Sequence, residues 1–528
     1  MKFLSLCIFN LLFSSLVDDY YYIGVSNDNF LYDIQSNSVY EMAALNDTLW
    51  LRTGSGLSFV LNNSYSDSNS FFSINNNNLP LGGSPAFIIT EDLMAISGAE
   101  SIYEDGRYRP MGTGISWSFD SGNSWKYIHQ PIDTVSSGEI YTYVSWGDQD
   151  SLIFKAITTD IYNISYDLSM HGDFIYATSF AGGIRRFNYT LNDPEWELIP
   201  LPMDNQSELI CNQIDLEQYE YDPVNPPIGN DNHKAFSVFV DNHIIWVGTG
   251  DGINKGIINL DSNCIDWTHY NESNGMGDRW VIGIKNQNFN NVNRLWAISW
   301  DPSLNSAIPH NLSYTDNQGD NWQIVSFFKN IGAIVYDLSF DNEDIYASTN
   351  LGLYKTDSGN INLWHKYEIS DLNNQMILSD VIYNAVNFQN ILWASSPDGI
   401  FYSYDEGASW YIYRSWNHTS NDNQNIKFSA YPNPFYIDEV NQYNSDGHVR
   451  VVYYDESLNS NVKLDVFDFD MTHIVQLHSP ILYTHTGEGE FVWNGRDKFR
   501  NQVQNGVYFL RLNLSGKIYW TKLMVINT

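Results

Sequence analysis

Three eight-residue stretches follow one pattern, Ser/Thr-x-Asp-x-Gly-x-x-Trp, and its chemistry leaves the backbone few alternatives to a tight hairpin. They are residues 118–125 (Ser118, Asp120, Gly122, Trp125), 403–410 (Ser403, Asp405, Gly407, Trp410) and 315–322, where Thr315 leads and Asn317 stands for the acid before Gly319 and Trp322. A hydroxyl and a carboxylate two residues apart can both accept turn amides, glycine supplies a positive φ, and the indole packs beneath the turn. The pattern therefore dictates β-structure and assigns no activity.

A second periodicity counts the hairpins. Residues 166–170 (YDLSM) lead into FIYAT at 174–178, and residues 336–340 (YDLSF) lead into DIYAS at 344–348. The core of this unit, an aliphatic residue followed by Trp, Tyr or Met, recurs at Trp50, Met94, Tyr176, Trp246, Trp296, Tyr346 and Trp393. Successive spacings are 44, 82, 70, 50, 50 and 47 residues. The short ones match propeller blades of about 40–50 residues; the two long ones hold insertions at 103–113, 130–160 and 205–232. Alternating apolar positions and Gly/Asn/Asp-rich turns call for strands throughout. The expected fold is all-β, a seven-bladed β-propeller over 18–425, whose radial closure removes exposed sheet edges. The strand-like pieces at 20–25 and 30–32 are expected to pair with the outside of the last blade and fasten the ring.

The eight-residue motif is the Asp-box, or bacterial neuraminidase repeat, and resembles the hairpins of sialidases and xyloglucan hydrolases. Residues 246–255 (WVGTGDGINK) resemble the blade motif of sensor propellers in hybrid two-component regulators. Beyond 425 the repeat stops. The alternating runs at 449–453, 462–467, 474–477, 490–493, 507–512 and 521–526 predict an immunoglobulin-like sandwich over 426–528. This segment resembles the C-terminal sorting domains of the type IX (Por) secretion system and the immunoglobulin-like domain of flagellar hook-capping proteins. The resemblance is carried by YPNPF at 431–435, VFD at 466–468, WNGRD at 493–497, NGVYFLRL at 505–512 and KLMVI at 522–526. Arg500 departs from it where that family has a turn glycine. The resemblance implies secretion machinery as a partner and export through the periplasm to the cell surface or beyond.

Charge narrows the partners. With 26 basic against 62 acidic residues, a formal net charge of −36 repels phosphate backbones and anionic lipid, so no nucleic acid is expected as a partner. Residues 1–17 read as a secretory signal, with Lys2 before an apolar run too short to span a bilayer, and no later segment reads as transmembrane. The mature chain keeps Cys211 and Cys264, which can form a disulfide if the fold brings them together.

No residue is assigned a catalytic role, and no metal or other cofactor is expected. Zinc-type spacing, a nucleophile elbow and a phosphate-cradling loop do not occur in the sequence. A sialidase would need an arginine triad and an Arg-Ile-Pro element, and the latter is missing. An inverting glycosidase needs two carboxylates about 6.5–9.5 Å apart, which this many acids can supply by chance. The turns between second and third strands share the channel-mouth face, opposite the Asp-box turns. They offer Arg52, Phe180, Asp251, Trp300, Asp301, Asn350 and Asp398 as candidate ligand-binding residues. The favoured expectation is a non-enzymatic propeller recognising an extracellular glycan, peptide or partner protein. A secreted glycan hydrolase and a structural surface component remain open.

Overall fold

The computed structural model describes residues 30–526 except 33, 35, 55, 62–70, 75–78, 105, 134–138, 160, 162, 225–228, 260–263, 301–310, 370–378, 415–427, 432, 438–441, 444–445, 455–461, 479 and 484–487. The signal-like segment, the strand expected at 20–25 and the domain boundary at 425 lie outside the described residues.

Between residues 30 and 413, seven antiparallel sheets of four or five strands follow one another among the described residues. Their first strands are Val39–Leu45, Phe87–Ile89, Ser165–His171, Ala235–Asp241, Trp280–Phe289, Val335–Asp341 and Asn384–Phe388. The repeat residues Trp50, Met94, Tyr176, Trp246, Trp296, Tyr346 and Trp393 each fall on the second strand of a sheet, and all are buried. Each apolar core lies between two neighbouring sheets. Trp50 and Phe59 pack with Phe87 and Met94, and Trp117 packs with Leu168 and Ile175. One core joins the last sheet to the first, with Trp393 and Ile400 against Leu49 and Val60. Burying both faces of every sheet in this way produces a closed β-propeller.

Hydrogen bonds seal each junction between sheets. The Met42 amide donates to Asn384 Oδ1 at 3.1 Å, joining first to last. Ser97 Oγ donates to the Ser165 carbonyl at 3.1 Å, the Val238 amide to Asp167 Oδ2 at 2.9 Å, and Ser237 Oγ to the Val281 carbonyl at 3.3 Å. Lys285 pairs with Asp337 at 2.7 Å, Asn384 Nδ2 donates to Asp337, and Arg52 donates to the Ser84 carbonyl. The fastening strand departs from expectation. Phe30–Tyr32 pairs antiparallel with Phe71–Ile74, on the outer edge of the first sheet rather than the last. This strand covers the outer edge of the first sheet; among the described residues the ring closes through the core between first and last sheets, the Met42–Asn384 bond and the Gly399 amide, which donates to the Asn37 carbonyl at 2.9 Å.

The three Ser/Thr-x-Asp-x-Gly-x-x-Trp turns, Asn317 standing for the acid in one, share one hydrogen-bond pattern. Ser118 Oγ donates to Asp120 Oδ1 at 2.8 Å and accepts the Gly122 amide at 2.9 Å, while Asp120 Oδ1 accepts the Ser124 amide at 2.8 Å. Ser403 and Asp405 repeat this geometry, as do Thr315 and Asn317. Gly122, Gly319 and Gly407 have φ between 85° and 98°. Trp410 and Trp322 are buried; Trp125 is only half-buried.

Two insertions decorate the ring. Strands Met94–Glu104 and Arg107–Ser118 run on as one long hairpin through 103–113. Tyr141–Trp146 and Gln149–Lys155 form a separate hairpin whose tip rests on a disulfide between Cys211 and Cys264, their Cα atoms 6.1 Å apart. Gly147 sits so close to the sulfurs that a Cβ there would collide with Cys211 Sγ. In the 205–232 insertion, Glu208–Leu209 adds a fifth strand beside Cys264–Tyr270.

The C-terminal residues form two sheets facing each other. Val449, Val451, Phe491 and Trp493 of one sheet interleave with Leu464, Val466, Leu510, Leu512, Leu523 and Val525 of the other. Strands Val449–Tyr454, Lys463–Phe467, His473–Leu477, Glu488–Trp493, Gly506–Leu514 and Lys517–Ile526 match the six expected from the sequence within a few residues. Arg500, at the expected glycine position, has φ 69°.

Candidate functional site

The first strands wall the central channel, and five of them carry the same irregularity near the channel mouth. Register with the second strand slips between Val39 and Glu41, Ser165 and Asp167, Ala235 and Ser237, Val281 and Gly283, and Val335 and Asp337. Each slip leaves one residue unpaired: Tyr40, Tyr166, Phe236, Ile282 or Tyr336. In a regular strand consecutive side chains point to opposite faces. A bulge re-aims them, so Tyr40 and Glu41, Tyr166 and Asp167, and Tyr336 and Asp337 all line one cavity of about 470 Å³.

The tyrosines form the cavity's upper wall. Tyr383 lies 5.3 Å from Tyr40 and 5.6 Å from Tyr336 between ring centres. Burial pushes the Tyr166 and Tyr336 hydroxyls up and carries Tyr383 to about 12, so these groups stay neutral donors. Beneath them sit three carboxylates and two cations. Arg52 Nε donates to Glu41 at 3.2 Å, with its guanidinium 5.6 Å from the Tyr40 ring centre. Lys285 Nζ is 2.7 Å from Asp337 and 3.8 Å from Glu41. Burial would lower the Lys285 ammonium, but Asp337 and Glu41 outweigh it and keep the group firmly charged. Asp167 accepts the Leu168 and Val238 amides, both at 2.9 Å. Burial lifts its carboxyl to about 7; the Val238 amide and Lys285 pull it down, and Glu41 adds to the lift.

Of the seven candidate residues read from the turns, Arg52 alone lines this cavity. Phe180 joins an aromatic group on the same mouth face, 5.9 Å from Phe236 and 6.3 Å from Trp280, with Lys234 Nζ 5.5 Å above its ring. Trp300 pairs across the fifth sheet with Trp280, and Asp301 lies outside the described residues. Asn350 ties its turn to the residue just before strand Val335–Asp341, its side-chain oxygen accepting the Ile334 amide at 2.7 Å. Asp251 is buried against Arg279 at 2.9 Å and His269 at 3.3 Å. Burial pushes its carboxyl up, and those two partners outweigh the push and hold it below the usual range.

Asp398 is enclosed between the propeller and the C-terminal sandwich. Arg414 Nη2 reaches it at 2.8 Å and Arg450 Nη2 at 2.7 Å, and Arg450 also pairs with Glu490. Burial alone would raise the Asp398 carboxyl; the two arginines outweigh it and hold it at about 2. The turns thus spend their polar groups on closing themselves or gripping neighbours, while the first strands face the open channel. A signal for the real lining was present in the sequence: the dipeptides Tyr40-Glu41, Tyr166-Asp167 and Tyr336-Asp337 recur at the head of the repeat unit.

Neither a family model nor a curated protein matches the chain. Among solved structures, the chain is similar to PorZ, described as an essential bacterial surface component of the type IX secretion system of Porphyromonas gingivalis. The TM-score is 0.40 and the identity 12%, over 93% of this chain and 66% of that one. The chain therefore spans about two thirds of that protein's length. It is also similar to the Cps50 (Swd1) β-propeller domain of Myceliophteria thermophila, with TM-score 0.42 and 9% identity over 69% of this chain and 95% of that one. A third similar structure is YCF48 bound to D1 peptide, with TM-score 0.40 and 12% identity over 74% and 96%. Likeness at this level carries no argument about function, which rests on the chain's own residues.

Proposed function

We propose that this chain is an exported, non-enzymatic recognition protein: a seven-bladed β-propeller that binds an extracellular glycan, peptide or partner protein at its channel mouth. The observation that carries the reading is the cavity of about 470 Å³ whose tyrosine wall stands over paired charges. Aromatic rings beside a few placed charged groups form the usual lining of a small-ligand or side-chain pocket. An array of glycans and peptides probed with the mature chain tests it. A ligand is expected whose affinity falls at least tenfold in Tyr383→Ala; retention of full affinity in that variant would move the site elsewhere.

In the same reading residues 1–17 are a signal, and 426–528 are an immunoglobulin-like sorting domain that hands the propeller to type IX secretion machinery for display or release at the surface. Support comes from the sequence resemblance and from the two facing sheets, of four and five strands, that the six expected strands help to build. Deleting 426–528 in a host with that machinery is expected to leave the propeller in the periplasm. Cleavage of the truncated chain by protease added to intact cells would contradict this.

Glycan hydrolysis is the second reading, favoured by a carboxyl raised to about 7, Asp167, in the same cavity as Glu41. An acid–base pair of that kind is what such chemistry requires. Here Glu41 is tied to Arg52, so the expected outcome is no turnover of sialosides or β-glucans. Turnover that disappears in Asp167→Asn would promote this reading over the first.

A further inference from the structure

Two of the three carboxylates beneath the tyrosines already have cationic partners. Glu41 receives Arg52, and Asp337 receives Lys285. Asp167 differs: its oxygens accept backbone amides, one each from Leu168 and Val238, and no cationic side chain pairs with it among the described residues. An ionised carboxylate offers about four acceptor sites, so each oxygen keeps capacity toward the cavity it lines. With every group ionised, three acids against two cations leave the cavity one negative charge in excess. The bulge also sets depth. Ser165 pairs with Ser179 at the mouth end of the strand and Asp167 comes after the bulged Tyr166, so the acid lies deeper than the ring. A charge reaching Asp167 must be carried on a slender apolar stem.

We propose that the channel mouth takes a lysine or arginine side chain of a partner polypeptide, its charged end on Asp167 and its stem against the tyrosine rings. The proposal rests on the reading of the channel mouth as a recognition site. Cation–π attraction to the rings adds to the pairing, and the cation supplies a direct partner to the one acid of the three that lacks an ion pair among the described residues, Lys285 acting on it only from a distance.

The arrangement couples binding to a proton. Glu41 from Val39–Leu45, Arg52 from Thr48–Thr53, Lys285 from Trp280–Phe289 and Asp337 from Val335–Asp341 share the cavity with Asp167; Ala235–Asp241 presents the Val238 amide to its carboxylate. Burial chiefly raises the Asp167 carboxyl to about 7. A bound cation favours the ionised form, so the side chain binds more tightly as pH rises and expels a proton below that value. Affinity should gain about tenfold between pH 6 and pH 8 and then level off.

The test is calorimetric titration of the full mature chain with capped pentapeptides, Gly-Gly-X-Gly-Gly, where X is lysine, arginine, norleucine or glutamate, and with the trisaccharide of glucosamine, at pH 6 and pH 8. Lysine or arginine is expected to bind at least tenfold tighter than norleucine, with glutamate weakest and the pH gain confined to the cationic peptides. Asp167→Asn should abolish both the preference and the pH dependence, while wild type alone already decides the ranking should that variant misfold. Equal binding of lysine and norleucine, tighter binding of the aminosugar, no binding of any probe, or an unchanged preference in folded Asp167→Asn would each overturn the proposal. A mouth ligand from the array that lysine and arginine peptides fail to displace would end this inference and leave the recognition reading standing. Failure of every array ligand to bind would sink that reading itself.

Discussion

Burial decides how much each recurring turn residue contributes. Trp410 has no exposed surface, and Trp410→Ala should lower stability by roughly 3–5 kcal/mol through lost packing and a cavity. Half-buried Trp125 obeys the same motif yet should cost less, and denaturant midpoints of the two variants check the order. Arg500 occupies the left-handed region that its side chain disfavours, so Arg500→Gly should gain on the order of 1 kcal/mol in the sandwich. A lower midpoint for that variant would show that the guanidinium contacts outweigh the strain. Asp167 carries a pH signature of its own. Burial lifts its folded pKa to about 7, above the ordinary 3.8 of an aspartate, so the stability it contributes is complete below the latter and lost as pH rises through the former. Asp167→Asn should therefore raise the melting temperature at pH 8 and leave it nearly unchanged at pH 3.

At the scale of elements, the bulges and the disulfide have separable consequences. The bulge at the head of a first strand turns two neighbouring side chains, Tyr and acid, into one wall of the channel. Alternation of apolar and polar residues does not show this, because it assumes a regular pleat. The hairpin of Tyr141–Trp146 and Gln149–Lys155 depends on the disulfide on which its tip sits, with Trp146 buried beside Cys211 and Cys264. Cys211→Ser should cost about 2–4 kcal/mol, and amide exchange should quicken first in that hairpin and in Cys264–Tyr270. Uniform quickening around the ring would indicate instead that the hairpin is not anchored there.

For the whole molecule, the ion chain Arg414–Asp398–Arg450–Glu490 ties the last sheet of the propeller to the sandwich. Removing one partner of a buried pair strands the other charge, so Arg450→Met should cost roughly 3–5 kcal/mol and separate the unfolding of the two parts in calorimetry. The two arginines hold the Asp398 carboxyl at about 2 when folded, below the ordinary 3.8 of an aspartate, so its contribution is present above the latter and lost as pH falls toward the former. Small-angle scattering should show the docked form at pH 5 and a more extended one near pH 2, and an unchanged profile in Arg450→Met at pH 7 would show that the ion chain does not hold the two parts together.

Sequence by itself located the second strand of each propeller sheet through Trp50, Met94, Tyr176, Trp246, Trp296, Tyr346 and Trp393, the tight Ser/Thr-x-Asp-x-Gly-x-x-Trp turns, and six of the C-terminal strands. These depend on local chemistry: an alternating pattern, a turn glycine, a hydroxyl two residues from a carboxylate. Tertiary structure alone decided which polar groups are open. Asp398 and Asp251 read as exposed turn residues, yet each is consumed by arginines from other parts of the chain, 16 residues away for Arg414, 52 for Arg450 and 28 for Arg279. Glu41, Asp167, Lys285 and Asp337 come from four sheets and meet only because the ring closes. Long-range electrostatics and a one-residue slip in register leave no mark on local periodicity, which is why the channel had to be seen folded.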